Sequence, residues 1–131
     1  SEMCIRDRGY NCAQAVACSF CQEFGIDENE MFRIAEGFGL GMGVMEMCGA
    51  LSGMAMIIGL SNSRGNTEEG SGSKGDTYKK LRTYIQKFKE KNGSCICREL
   101  KGVETGKVLC SCPQCITDAV ALTEEYLAEN R

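Results

Sequence analysis

A chain of 131 residues fits one domain and is long enough to bury a core. Its 15 Lys and Arg against 18 Asp and Glu leave a net charge of −3, which removes the electrostatic case for a nucleic-acid partner. Ten cysteines and no histidine exclude imidazole acid–base chemistry, and with no convergent acid pair they turn attention to thiols.

The first nine residues read as a tail. Met3-Cys4-Ile5-Arg6-Asp7-Arg8 can be encoded by ATG TGT ATA AGA GAC AG plus one more base, a string matching the end of a transposase adaptor used in sequencing libraries. Residues 1–9 are therefore expected to be an assembly artefact, and Cys4 is given no role. Residues 10–131 are expected to form one cysteine-rich helical domain.

Asn11 to Phe24 is predicted as a helix. It opens on Asn11-x-x-Gln14, a capping-box pattern, and carries Ala13, Val16, Ala17, Phe20 and Phe24 on one side up to Gly25. Asp27-x-x-Glu30 opens a second helix through Met31, Ile34 and Ala35, ending at Gly37. Gly37-Phe38-Gly39-Leu40-Gly41-Met42-Gly43 is a glycine-dense loop. Met47 to Leu60 is an apolar helix whose Gly49, Ala50, Gly53 and Ala55 suit close packing at a bundle centre. Ser61 to Asp76 is a flexible surface loop. Thr77 to Lys91 is an amphipathic helix with Tyr78, Leu81, Ile85 and Phe88 on one side. Gly102 to Cys110 is a connector, and Pro113 to Ala128 is the last helix, with Ile116, Val120, Leu122 and Tyr126 as core. No strand pattern runs longer than a few residues. The expected fold is an all-α, single-domain bundle of about five helices with a glycine-rich loop.

The longest apolar run, Met47 to Leu60, falls short of the roughly 20 residues that span a bilayer. No basic start is followed by an apolar stretch and a small-residue cleavage site. A cytoplasmic location without a membrane span is expected. Structural disulfides are rare there, so ten cysteines point to metal or redox chemistry.

Four cysteines sit where helices should start: Cys12 after Asn11, Cys48 before Gly49-Ala50, Cys97 before Arg98-Glu99-Leu100, and Cys112 before Pro113. Unpaired N–H groups and the positive dipole end favour a thiolate there. This pattern predicts a soft-metal or thiol redox site. On a continuous helix at about 100° per residue, Cys12 cannot join Cys18 or Cys21 in a compact site, and mid-helix Cys18-x-x-Cys21 reads as structural. Glycines 39, 41, 43 and 49 allow two readings: tight helix packing, or backbone N–H groups brought close to a ligand. A dinucleotide loop is excluded because no strand precedes them. Cys112-Pro113-Gln114-Cys115 places cysteines at N-cap and N3, like a thioredoxin dithiol but without the βαβ context. A Cys4 zinc site lacks the usual paired knuckles. Covalent c-type haem is excluded, since no Cys-x-x-Cys-His occurs.

Asn11-Cys12-Ala13-Gln14-Ala15-Val16, Gly37-Phe38-Gly39-x-Gly41-Met42-Gly43, Cys48-Gly49-Ala50-Leu51-Ser52-Gly53, Cys97-Arg98-Glu99-Leu100 and Cys112-Pro113 together resemble the C_GCAxxG_C_C family of redox-active proteins. The likeness runs in order from Tyr10 over nearly the whole chain. It implies that the family's four cysteines are Cys12, Cys48, Cys97 and Cys112. The family's relation to split-Soret cytochromes implies an iron–sulfur cluster held by these four, and a homodimer, though the haem motifs are lacking. Cys18, Cys21, Cys95, Cys110 and Cys115 are additions, and Cys95, Cys110 or Cys115 could replace a neighbouring ligand. The expected function is electron transfer or redox sensing with a partner protein, with Gly39, Gly41, Gly43 and Gly49 around the cluster. The alternatives are a cluster-free dithiol oxidoreductase using Cys112 with Cys115, or Cys97 with Cys112, and a structural zinc module.

Overall fold

Which helix lies at the centre is decided by side-chain size. The computed structural model describes residues 9–66 and 72–130. Among these, the helices are α1 (Cys12–Cys18), α2 (Cys21–Phe24), α3 (Glu28–Ala35), α4 (Gly49–Asn62), α5 (Lys74–Asn92), α6 (Cys97–Lys101) and α7 (Cys112–Glu129). Residues 1–8, with Cys4, lie outside the described residues, as do residues 67–71 of the predicted loop. The described residues form an all-α domain with no sheet. Its backbone pairing outside helices includes one isolated antiparallel bridge, Met47 with Ile96.

The central helix is α4, packed on α1, α5 and α7. Every residue from Ala13 to Cys18 of α1 is buried. Two glycines let α4 approach this closely. A Cβ on Gly53 would stand 2.8 Å from the Ala13 carbonyl oxygen and 2.9 Å from Val16 Cβ. A Cβ on Gly49 would stand 2.8 Å from the Phe38 carbonyl oxygen. The small residues of the predicted Met47–Leu60 helix thus serve close packing, although the helix starts at Gly49 and runs on to Asn62.

Caps fix the helix starts. Asn11 accepts from the Gln14 N–H at 3.0 Å, and Gln14 Oε1 accepts from the Asn11 N–H at 2.8 Å, completing the expected capping box. Asp27 accepts from the Glu30 N–H at 2.9 Å to open α3. In α7 the cap is Ser111, which accepts from the Gln114 N–H at 3.3 Å. Cys112 is therefore the first helical residue and not the N-cap, and Cys115 sits one position later than N3. Serine oxygen is the stronger acceptor for an orphan N–H, and Pro113 is tolerated in the first turn because its missing donor would have no partner there.

The predicted Asn11–Phe24 helix is broken. After Cys18 the N–H groups of Ser19 and Phe20 turn to the i−3 carbonyls of Val16 and Ala17, at 3.2 and 3.3 Å, and Ser19 Oγ donates to the Ala15 carbonyl at 2.6 Å. The tighter turn lets both Phe20 and Cys21 enter the core. Helix α2 then ends at Gly25, whose φ of +64° suits glycine, with the Ile26 N–H closing on the Cys21 carbonyl at 3.0 Å.

Helix α5 starts at Lys74, earlier than predicted, and Tyr78 is 54% exposed instead of in the core. Its buried stripe is centred on Tyr84 and Phe88, and Tyr78 lies about 80° around the helix from Phe88. The Tyr84 ring meets Tyr126 of α7 edge-on at 5.6 Å between centroids. Ile116, Val120 and Tyr126 are buried as expected, while Leu122 is half-buried at the edge of the core. The Tyr126 hydroxyl is buried with no hydrogen-bond partner among the described residues. Tyr126→Phe is therefore expected to be neutral or to stabilise by up to about 1 kcal/mol, because an unpaired buried hydroxyl costs free energy. Thermal unfolding checks this; a loss of more than about 1 kcal/mol would show that the hydroxyl is satisfied.

Candidate functional site

The helix starts converge on one cavity of about 200 Å³, well above the roughly 10–15 Å³ that admits a single water. Cys12, Cys48, Cys97 and Cys112 all line it, and so do Cys110 and Cys115. Tyr10, Leu40, Gly49, Leu100 and Lys101 complete most of the wall.

Each cysteine is placed by its own local device. Cys12 opens α1, whose cap residue Asn11 also donates through Nδ2 to the Glu36 carbonyl at 2.9 Å. Gln14 adds a bond from Nε2 to the Phe32 carbonyl at 3.0 Å, so the α1 start is tied to α3 and the turn after it. Cys48 is the N-cap of α4. Its N–H donates to the Cys95 carbonyl at 2.8 Å, while the Cys97 N–H donates to the Glu46 carbonyl at 2.6 Å. These two bonds flank the Met47–Ile96 bridge. A short antiparallel pairing of 46–48 with 95–97 thus holds Cys48 and Cys97 in register. Cys97 opens α6, and Cys112 opens α7 behind the Ser111 cap.

The glycine-rich loop makes two turns. Residues 36–38 form a 3-10 turn, and a wider turn over Gly41–Met45 is closed by the Glu46 N–H on the Gly41 carbonyl at 3.2 Å. Leu40, Met42 and Met45 take positive φ there, as do Gly41 and Gly43. Arg98 clamps the loop, donating through Nη2 to the Val44 carbonyl at 3.2 Å. Of the four glycines singled out, Gly49 lines the cavity. Gly39 lies under the Asn11 side chain, which a Cβ would meet at 2.4 Å, and Gly41 lies against the backbone of Glu46. Gly43 occupies open space.

Cys48 is the acidic thiol. The neighbouring Cys115 thiol and the N–H groups of Ala50 and Leu51 at the start of α4 outweigh burial and bring it down to about 7. Cys115 is pushed up by its nearness to Cys48 and by burial. Cys97 and Cys110 are raised, chiefly by burial. Cys115 also shares a hydrogen bond with the Cys110 sulfur, and its thiol lies 3.8 Å from the Cys110 carbonyl oxygen. The floor behind these thiols is braced by Asp118, which is buried and accepts from Lys91 Nζ at 2.6 Å, Gln114 Nε2 at 2.8 Å and Asn92 Nδ2 at 3.2 Å.

Cys18 and Cys21 belong elsewhere. They hydrogen-bond to each other in the core, with Cys18 near the Glu28 carbonyl at 3.9 Å and Cys21 near the Ala17 carbonyl at 3.8 Å. Burial, then Cys21, pushes the Cys18 thiol up to about 12. In metal-free folded protein near neutral pH, iodoacetamide is expected to label Cys48 before Cys18 and Cys21, because the thiolate is the reactive form. Mass spectrometry of quenched time points checks the order; early labelling of Cys18 would show that the core pair is open.

All nine cysteines among the described residues carry free thiols. Among the same residues, no three Cys, Asp or Glu side chains stand close enough to hold one metal ion, so the thiols ring the cavity without closing on a point. Two features had no signal in the sequence: the 46–48 with 95–97 pairing, too short for an alternating pattern, and the Cys115 contact with Cys48, which arises only when α4 packs on α7. No helix among the described residues is long and apolar enough to cross a membrane.

A protein-family model described as "Putative redox-active protein (C_GCAxxG_C_C)" matches residues 10–126, a span that includes all six cavity cysteines. No curated protein and no solved structure matches the chain.

Proposed function

Since the chain belongs to the C_GCAxxG_C_C family of redox-active proteins, we propose that it binds an iron–sulfur cluster through Cys12, Cys48, Cys97 and Cys112 and serves in electron transfer or redox sensing. One observation carries this reading: four cysteines from four separate segments line a single cavity. Their donor set fits, since four thiolates are the usual ligands of such clusters. The spread around the cavity also suits a multi-metal group, whose ligating sulfurs are separated by the width of the group itself.

The cluster would supply a centre that accepts and passes on one electron. The protein's part is to hold the thiolates and to offset their charge. The starts of α4 and α7, which carry Cys48 and Cys112, present N–H groups and positive dipole ends beside these sulfurs. Cys48 and Cys97 are buried, whereas Cys12 and Cys112 are half-buried and form the side nearer to solvent. A redox partner protein would approach from that side.

The test is an absorption spectrum with iron, zinc and acid-labile sulfide analysis on protein purified without oxygen. Brown protein with iron and sulfide supports the cluster. Zinc near one per chain would replace it with a structural Cys4 site, and colourless metal-free protein would favour dithiol chemistry.

A further inference from the structure

Among the described residues, the cavity wall carries six thiols and one lysine, Lys101, with no Asp or Glu beside it. Lys101 closes α6 four residues after Cys97, so the two share a helix face. The peptide group joining it to Leu100 is pinned to the Cys110 segment: the Leu100 carbonyl accepts from the N–H groups of Leu109 and Cys110 at 2.9 and 3.2 Å. A Cβ on Gly102, which follows with φ of +71°, would stand 2.3 Å from the Lys107 carbonyl oxygen, so the end of α6 packs tightly against the connector. The acids of the neighbouring segments are engaged elsewhere. Glu99 accepts from the Ser94 hydroxyl, Glu46 and Glu104 face Arg98 at 3.9 and 3.8 Å, and Asp118 is held by Lys91 at 2.6 Å. Lys101 is half-buried, and its ammonium is in no ion pair or hydrogen bond among the described residues.

We propose that the cavity, when no metal fills it, is a site for small carboxylate-bearing disulfides, with Lys101 as the residue that selects their charge. The carboxylate would sit at the ammonium, a compact point charge that has no other anion to pair with. A cavity sulfur then attacks. A new S–S bond forms between protein and ligand, the S–S bond of the disulfide breaks, and its other half leaves as a thiolate with the electron pair. One protein thiolate and one disulfide become one mixed disulfide and one free thiolate, and no further oxidant is consumed. Cys12 and Cys112 are half-buried, so theirs are the sulfurs such a molecule reaches first. The selection is electrostatic, because an uncompensated charge in a cleft with walls of low polarity concentrates counter-ions there. The selectivity itself does not depend on the cluster.

The test uses the full chain. Its iron content is measured as purified, so that the cluster reading is judged separately, and the protein is then stripped with a chelator under reducing conditions and desalted. Three disulfides of similar size serve as probes: anionic dithiodiglycolate, neutral hydroxyethyl disulfide and cationic cystamine. Early time points are quenched with acid, and mixed disulfides are located by mass spectrometry of peptides. The expected result is a higher ratio of anionic to neutral modification at Cys12 and Cys112 than at Cys95, which does not line the cavity, with cystamine the slowest there. Lys101→Met should lower that ratio at Cys12 and Cys112 by about tenfold. Lys101→Arg should keep it, and Lys107→Met, outside the cavity wall, should leave it unchanged. Circular dichroism checks that each variant is folded. In the parent protein, added salt should narrow the ratio, a readout that needs no variant. An unchanged ratio in folded Lys101→Met, an equal fall at Cys95, a parent ratio indifferent to salt, or no mixed disulfide at Cys12 or Cys112 would each overturn the proposal.

Discussion

Serine at Cys12, Cys48, Cys97 or Cys112 is expected to remove most of the visible absorbance of protein purified without oxygen, while Cys18→Ser leaves the spectrum intact. Serine matches cysteine in shape but does not supply a thiolate, so a cluster site loses one of four ligands. Cys18 is the informative control. It is buried in the core against the Glu28 carbonyl and the Cys21 thiol, and it does not line the cavity. Far-UV circular dichroism keeps loss of ligand apart from loss of fold. This matters most at Cys48 and Cys97, which are buried, where a serine hydroxyl left unpaired would cost about 1–3 kcal/mol. Equal bleaching from Cys18→Ser would contradict the assignment. Bleaching by Cys115→Ser with none from Cys112→Ser would move the fourth ligand to Cys115.

The second large effect is structural, and it concerns two glycines of the same helix. Gly53→Val is expected to destabilise by roughly 1–3 kcal/mol, because its Cβ meets the backbone of Ala13 and Ala17 and cannot be accommodated by a rotamer change. Gly59→Ala should stabilise by about 0.5–1 kcal/mol, since its Cβ enters open space in a helix interior. Each kcal/mol moves the melting temperature by roughly 4 °C in a domain of this size. Moreover, Gly53→Val should lower the iron content per folded chain, because separating α1 from α4 separates Cys12 from Cys48. Thermal melts of the two variants check the signs. Equal stability of Gly53→Val and the parent would mean that α1 and α4 are not in close contact.

What the sequence announces here is local, and what it conceals is pairwise. Asn11 and Gln14 signal the start of α1 because a capping box is closed by residues three apart. Cysteines at helix starts are legible for the same reason. The break at Ser19–Phe20 is not, since it answers to where Phe20 and Cys21 must be buried. Ser111 and Cys112 were both available to cap α7, and only hydrogen-bond strength separates them. The exposure of Tyr78 depends on which stripe of α5 meets α7. The contact of Cys115 with Cys48 is of the same kind: nothing in Cys112-Pro113-Gln114-Cys115 tells that its last sulfur faces another helix.

The pairing of 46–48 with 95–97 also sets an order of assembly. Cys12 and Cys48 lie on α1 and α4, whose packing requires only the first half of the chain. Cys97 reaches its register only after α5 has been made and has carried the chain back, which closes a loop of nearly fifty residues. Such distant contacts form late in folding. On the ribosome, two of the six cavity thiols would be in place while the other four had yet to emerge. Loading of the proposed cluster would then wait until α7 docks and brings Cys112 to the cavity.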